Sequence, residues 1–168
     1  YVPNAAVNSI DTTQPRIAVN SQMGTVFGDV VNAIPPQRAG KVVLDNGLVP
    51  AGGRWASVKA ATFESTVAAG VHVIGDSCSA GIPKAGHIGN QEGKTAADAI
   101  VRAFRGLAPD TDVVVNSACY SPITASTASW LTAVYQYDAS VGGYKIVGGA
   151  PSEATSPTSD GYSQMNKW

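Results

Sequence analysis

Short apolar runs separated by glycine, proline and polar clusters dominate this chain. Residues 1–34 show the composition of β strands, with Ala5–Ile10 and Arg16–Val19 flanking a hairpin turn. Thr25–Ile34 predicts a further strand pair or one long strand. Pro35-Pro36 then interrupts the pattern, because proline fixes the backbone and removes an amide donor. We expect a crossover between domains at this point.

The middle of the chain mixes helical and strand patterns. Residues 41–48 suit a short helix, and Trp55–Phe63 suits a strand with its turn. Residues 71–75 form an apolar run that predicts a short buried strand. From Gln91 to Phe104 the apolar residues recur at helical spacing, which predicts an amphipathic helix.

The last third of the chain is predicted to be a small antiparallel sheet. Strands are expected at Asp112–Asn116, Ser129–Tyr137 and Gly142–Val147, the last two paired across a tight turn. The tail from Gly148 is rich in Pro, Ser, Thr and Gly, which predicts an extended surface segment.

Charge and composition exclude several classes of function. Charged residues make up 14% of the chain and the net charge is −1, so the basic field that nucleic acids and anionic membranes require is missing. No run approaches the ~20 apolar residues of a membrane span. The start at Tyr1 has neither a methionine nor a secretory pattern, so we expect a piece of a longer protein.

Cys78 and Cys119 are the only cysteines, and they do not form a CxxC motif. With only two histidines, they do not complete a metal-ligand set. The thiols could be buried and inert, paired with each other, or paired with a cysteine outside this chain. Locally, Cys119 has no cation, helix end or disulfide partner to stabilise a thiolate, which favours a buried, unreactive residue.

Gly75 and Asp76 end the predicted strand of residues 71–75. Open α/β sheets present the carboxyl ends of their strands to ligands. The Asp76 carboxylate could accept hydrogen bonds from sugar-alcohol hydroxyls, and Gly75 would let the backbone come close. The alternative is that Asp76 caps a helix or loop.

A glycine-rich loop, Gly81–Asn90, connects this strand to the predicted helix. Free N–H groups and the positive end of the dipole at a helix amino terminus stabilise negative charge, such as that of a reduced flavin. Lys84 or His87 could add to this effect. The alternative is a solvated loop with an exposed lysine.

Several sequence blocks together carry a resemblance to a known family. In the same order and at similar spacing, the chain resembles the flavoprotein subunits of flavocytochrome c sulfide dehydrogenases. The blocks are Asn32–Lys41, Thr62–Ser65, Val71–Asp76, Pro83–Gly86, Gln91–Lys94 and Ala118–Ser121.

The resemblance implies an α/β fold, α+β overall. It would be the returning half of a two-dinucleotide-binding-domain flavoprotein plus a small antiparallel-sheet C-terminal domain. Residues 1–35 would end the NAD-like second domain. Residues 36–109 would form the C-terminal half of the FAD-binding domain, and residues 110–168 the C-terminal domain of the family.

The resemblance also implies a periplasmic oxidoreductase that binds FAD, oxidises sulfide at a redox-active disulfide, and passes electrons to a c-type cytochrome. Cys119 matches the second redox cysteine, and Gly75–Asp76 matches the pair beside the ribityl chain. The residues that match the loop beside the isoalloxazine are Lys84, Ala85 and His87, the last replacing an aromatic residue.

The chain departs from the family in what it does not contain. The GxGxxG unit that holds the FAD pyrophosphate and the first redox cysteine are not in this sequence. The resemblance therefore implies that an N-terminal half of the same polypeptide is missing, and that the fragment alone is inactive. Two alternatives remain: a flavin-free, cytochrome-docking module carried by residues 110–168, and a relative of the pyridine-nucleotide disulfide reductases.

Overall fold

The computed structural model describes residues 3–167, so the outermost residues of the predicted segments 1–35 and 110–168 lie outside the described part. The chain divides into two units, one ending at Pro36 and the other beginning at Gln37. The elements, in chain order, are β1 (Val7–Asp11), β2 (Ile17–Ser21), β3 (Gly24–Gly28), α1 (Lys41–Asp45), β4 (Ala56–Ser57), a 3-10 turn (Gly75–Ser77), β5 (Cys78–Ser79), α2 (Gly86–Phe104), β6 (Val114–Pro122), β7 (Ala128–Asp138), β8 (Gly143–Ile146) and α3 (Ser159–Met165).

The first unit is a three-stranded antiparallel sheet in the order β1-β2-β3. The predicted hairpin is confirmed: the Asp11 carboxylate accepts hydrogen bonds from the backbone N–H and hydroxyl of Thr13, which closes the turn. The longer strand predicted over Thr25–Ile34 is wrong beyond Gly28, where β3 ends. Ala18 is the one buried residue among positions 3–36.

The second unit contains two hydrophobic clusters. In the first cluster, α1 and α2 pack with the short parallel pair β4 and β5. Its fully buried centre is Phe63, which adopts a left-handed φ of 57°, a conformation unusual for a large side chain. The buried members are Ala39, Val43, Ala56, Val58, Phe63, Val73, Cys78, Ala80 and Ala96.

The strand predicted over residues 71–75 is reduced to a single bridge between His72 and Glu64. The carbonyl of Val71 and the N–H of Val73 bond to the segment that carries Glu64. On the opposite side of residues 71–74, no strand of the described chain pairs with them. The apolar run therefore has strand composition but only one hydrogen-bonding neighbour.

The predicted helix is confirmed, and it begins earlier than Gln91, at Gly86. Glycines in the preceding loop sequence concealed its first turn, since glycine is a poor helix former. Gly89 from this loop sequence and Gly93 from the predicted helix serve packing: a Cβ at Gly89 would lie 3.3 Å from the Cα of Gly75, and a Cβ at Gly93 would lie 3.4 Å from Ile74. The backbone of the helix at Gly89 therefore packs directly against the backbone of the 3-10 turn at Gly75.

The predicted C-terminal antiparallel sheet is confirmed as β6-β7-β8. Its first strand, predicted over Asp112–Asn116, instead occupies Val114–Pro122 and so includes Cys119. Alternation along β6 buries Val115 and Ser117, which lie opposite Tyr135 and Ala133 of β7. Ile88 of α2 packs on this face and forms the second hydrophobic cluster with Val115, Ala133 and Tyr135. The other face of the strands is largely exposed.

The tail from Gly148 is extended as predicted, but it lies along β7 and ends in a helix. Ser152 and Thr155 use both backbone and hydroxyl groups to bond with the backbone of β7 at Thr132 and Trp130. The Thr158 hydroxyl then caps α3 by accepting the Gly161 N–H at 2.9 Å. The seven-residue α3 is a finding that the sequence pattern did not predict.

The architecture is mixed α and β, of the α+β type, with two antiparallel sheets, one parallel two-stranded pair and few helices. Among the residues that the structure describes, no helix is both long enough and apolar enough to cross a bilayer.

Candidate functional site

The amino end of α2 is the centre of the candidate site. Ala85 precedes the helix in an extended conformation, and within the described chain no side chain caps this end. The first turn contains no acidic residue. The N–H groups and the positive end of the helix dipole therefore have no acidic side chain from the helix's own first turn beside them.

The 3-10 turn that carries Gly75 and Asp76 is fixed against α2. Gly75 has a φ of 68°, which favours glycine. Its N–H donates a hydrogen bond to the Glu92 carboxylate, while Gly89 allows the close approach of the helix backbone. The turn therefore keeps a fixed place beside the first turns of α2.

Asp76 is exposed. No side chain caps the 3-10 turn, and no described residue donates a hydrogen bond to the Asp76 carboxylate. The capping alternative is thus not what the structure shows. The carboxylate is free to accept hydrogen bonds from a ligand.

Glu92 is a site residue that the sequence reasoning missed. It is only 3% exposed, and besides the Gly75 N–H it meets the Cys78 Sγ at 3.8 Å. Burial raises its pKa above the ordinary value, against the effect of the Gly75 hydrogen bond. The available signal was its position: it lies four residues after Ile88 and four before Ala96, on the buried stripe of the helix.

Lys84 is exposed, as the alternative reading of the loop expected, but its ammonium group has partners within the chain. Its Nζ donates a hydrogen bond to the Cys78 carbonyl and lies 4.2 Å from the centroid of the Trp55 ring. Arg54 lies 5.6 Å from the same ring. Both contacts are cation–π interactions, but only that of Lys84 connects Trp55 to the loop before α2.

Gln91 and His87 attach α2 to the edge of β6. The Gln91 amide donates to the Asn116 carbonyl and accepts its N–H, both at 2.9 Å, as a neighbouring strand would. The His87 Nε2 accepts the Ala118 N–H at 3.4 Å. These bonds occupy backbone groups of an edge strand that would otherwise be open.

Cys119 therefore lies one residue from the contact with His87. It is in β6, paired with Leu131 of β7, and its thiol is free and exposed, so the local prediction of a buried residue is wrong. Cys78 is free and buried. Burial raises the pKa of its thiol to about 12, with a further contribution from Glu92. The two cysteines are not paired with each other.

The structure thus brings two of the predicted segments to α2. Gly75 and Asp76 lie against it through Glu92 and Gly89, and the strand of Cys119 contacts it through His87. Lys84 and Ala85 lead directly into its first turn.

Beside this arrangement, α2 and the exposed face of the sheet enclose an open groove of about 610 Å³. Its walls are mainly apolar, with polar groups from the helix. They include His87, Gln91, Lys94, Ala118, Tyr120 and Val134. Among the described residues, no cluster of three or more histidine, cysteine, aspartate or glutamate side chains could hold a metal ion. No protein-family model matches the chain.

Proposed function

We propose that this chain is the C-terminal part of an FAD-dependent sulfide dehydrogenase of the flavocytochrome c type, an oxidoreductase of the periplasm. Its substrate would be sulfide, and its electron acceptor a c-type cytochrome. Within it, the chain would form the returning half of the FAD domain and a small C-terminal domain.

One observation carries this proposal. An uncapped helix amino end, a free carboxylate at Asp76 and the strand of an exposed thiol, Cys119, are connected through direct contacts with α2. A flavin enzyme of the disulfide-reductase type needs these three groups: an acceptor for the ribityl hydroxyls, a positive dipole for the reduced ring, and a redox thiol.

The residues of the turn and the helix end fit part of an FAD molecule. Asp76 would hold ribityl hydroxyls, and the N–H groups after Ala85 would stabilise negative charge on the ring. Lys84 would act indirectly: its contacts with the Trp55 ring and the Cys78 carbonyl would hold the loop before α2 in place. When bound, the flavin would accept an electron pair and release the electrons singly to the cytochrome.

Cys119 would supply one sulfur of the redox disulfide, and the other cysteine would come from outside this chain. Hydrosulfide would form a new S–S bond with one sulfur, and the original disulfide bond would break to release the other sulfur as a thiolate. The exposure of Cys119 is compatible with this exchange, which requires an accessible sulfur.

The segment 71–74 supports the presence of a missing half. Val71 and Ile74 are exposed, 39% and 42%, and no described strand pairs with the outer side of the segment. In a doubly wound fold such a run would lie between neighbouring parallel strands. An N-terminal half of the same polypeptide would provide them.

Expression of the complete gene product would test the proposal. We expect a flavin absorbance band and sulfide-dependent reduction of a c-type cytochrome. A Cys119→Ser variant should retain the flavin and lose sulfide oxidation. A complete gene that encodes no dinucleotide-binding motif, or a Cys119→Ser variant with full activity, would contradict the proposal.

The groove beside β6 favours a second candidate, a flavin-free module that docks a cytochrome. The apolar side chains on its wall, such as Tyr120 and Val134, would then contact the partner. Tight binding of a c-type cytochrome by this chain without flavin would favour the second candidate. Dependence of cytochrome reduction on bound flavin and Cys119 would favour the first.

A further inference from the structure

Glu92 is a buried titratable group that the proposed chemistry does not use. Four groups face it from the elements packed against α2: Asp76 from the 3-10 turn, Cys78 from β5, Lys84 from the loop and Tyr144 from β8. Burial keeps the thiol and the phenol neutral, because it raises the pKa of each. One positive and one negative group therefore remain, and their effects on Glu92 oppose each other.

The contacts of Glu92 connect two elements that otherwise meet through glycine. Its carboxylate accepts the Gly75 N–H at the start of the 3-10 turn and meets the Cys78 thiol just after the turn. Gly89 and Gly93 bring the helix backbone against this segment but supply no side-chain hydrogen bond. Among the described residues, the hydrogen bond between the turn and α2 is therefore made by one side chain, the Glu92 carboxyl group.

We propose that Glu92 is a proton-operated latch, which holds the Gly75–Ser77 turn on α2 while it carries a proton and releases the turn when it ionises. The neutral carboxyl group still accepts the Gly75 N–H through an oxygen. Ionisation places a charge where water is excluded, since Glu92 is 3% exposed. This desolvation outweighs the Gly75 and Cys78 hydrogen bonds and the charge of Lys84, all of which favour the ionised form, and opening returns the charge to solvent.

Thermodynamic linkage fixes the sign of this effect. In the closed state burial raises the pKa of Glu92, whereas in the open state the group is solvated and titrates ordinarily. The closed state therefore binds the proton more tightly, so it is favoured at low pH and loses stability as the pH rises. Across this titration, the ratio of open to closed molecules changes about tenfold for each unit by which the two pKa values differ.

Hydrogen exchange of the Gly75 amide tests the latch in this chain, without flavin. After correction for intrinsic exchange, we expect Gly75 protection to fall as the pH rises above the ordinary titration range of glutamate, while protection of Ala96 in the same helix stays constant. In Glu92→Gln the amide oxygen keeps the acceptor without the titration. Protection of Gly75 should then no longer depend on pH.

Glu64→Gln is the matched control. Glu64 also accepts a glycine N–H, that of Gly70 at 2.8 Å, but it belongs to another turn and its pKa is lowered, mainly by that hydrogen bond. This variant should keep the wild-type pH dependence at Gly75. The latch is refuted if Gly75 protection is independent of pH in the wild type, or if it depends on pH equally in Glu92→Gln.

A second measurement covers the case in which Glu92→Gln does not fold. The carboxyl carbon resonance of Glu92 in the wild type should titrate above the ordinary glutamate range, with the same midpoint as the Gly75 amide shift. An ordinary midpoint, or two different midpoints, refutes the latch. The consequence that ionisation displaces Asp76 from a flavin rests on the proposed function. The latch itself does not, so the two can fail separately.

Discussion

At the scale of single residues, the two cysteines occupy opposite environments. Cys119 is exposed on β6, whereas Cys78 is buried and its pKa is raised to about 12 by burial. Because the thiolate is the reactive form, we expect iodoacetamide at about pH 8 to modify Cys119 and leave Cys78 intact in the folded chain. Peptide mass spectrometry would show which thiol carries the label.

Unfolding in urea provides the control for this prediction, since both thiols should then react. A Cys119→Ser variant should take up no label while folded. Labelling of Cys78 in the folded chain at a rate similar to that of Cys119 would mean that the first hydrophobic cluster opens readily, and would contradict the burial described above.

Individual residues of the candidate site were predictable from the sequence to different degrees. Asp76 was identifiable because a carboxylate after an apolar run is a local signal. The contact of Lys84 with Trp55 joins residues that are far apart along the chain, which no local pattern reveals. Glu92 could be recognised only as an acidic residue on an apolar helical stripe.

At the scale of elements, the sequence predicted those with strong periodicity. The helix over Gln91–Phe104 repeats its apolar positions and is confirmed. The strands of the last sheet are confirmed as well, except that the first extends to Pro122, beyond the predicted end at Asn116. The strand predicted over residues 71–75 does not form in full. A strand is defined by its hydrogen bonds to neighbouring strands, and in the described chain this segment pairs only with the segment that carries Glu64. The helix α3 has too few residues to show a period.

The packing of α3 depends on Gly161. A Cβ built there would overlap the Ala128 carbonyl oxygen and lie 2.8 Å from the Trp130 ring. We therefore expect Gly161→Ala to destabilise the chain by about 1–3 kcal/mol through overpacking, although alanine is the better helix former. Urea unfolding followed by circular dichroism would measure the loss.

Gly86→Ala is the matched control for this effect. Gly86 also lies in the first turn of a helix, but nothing is within 4 Å of its added Cβ. This variant should be neutral or slightly more stable. Equal stability of Gly161→Ala and the wild type would show that α3 is not held on the sheet as described.

At the scale of the whole molecule, the two units differ in how much core each contains. Only Ala18 is buried among residues 3–36, whereas both hydrophobic clusters belong to the unit that begins at Gln37. A three-stranded sheet needs a buried face for independent stability. We expect residues 37–168 to fold alone and the peptide 1–36 to be unfolded alone, as measured by amide dispersion in NMR spectra.

Dispersed amide resonances from the isolated peptide would contradict this prediction. The full chain should also self-associate with rising concentration, since Val30 and Ile34 in the first unit and Phe104 in the second are 89%, 77% and 89% exposed, and exposed apolar side chains favour association. Sedimentation at several concentrations would detect it, with residues 37–168 compared in parallel.

The last prediction concerns FAD and this chain alone. Under the proposed function, Asp76 and the amino end of α2 would contact the ribityl chain and the flavin ring, but the pyrophosphate would need a glycine-rich strand–helix turn that this sequence does not contain. We therefore expect weak binding, with the flavin absorbance eluting as free FAD on gel filtration, and no turnover of sulfide. Asp76→Asn should elute identically. A flavin band that co-elutes with the wild-type chain and is lost in Asp76→Asn would show that residues of this half suffice to bind the cofactor, and the requirement for an N-terminal half would then be wrong.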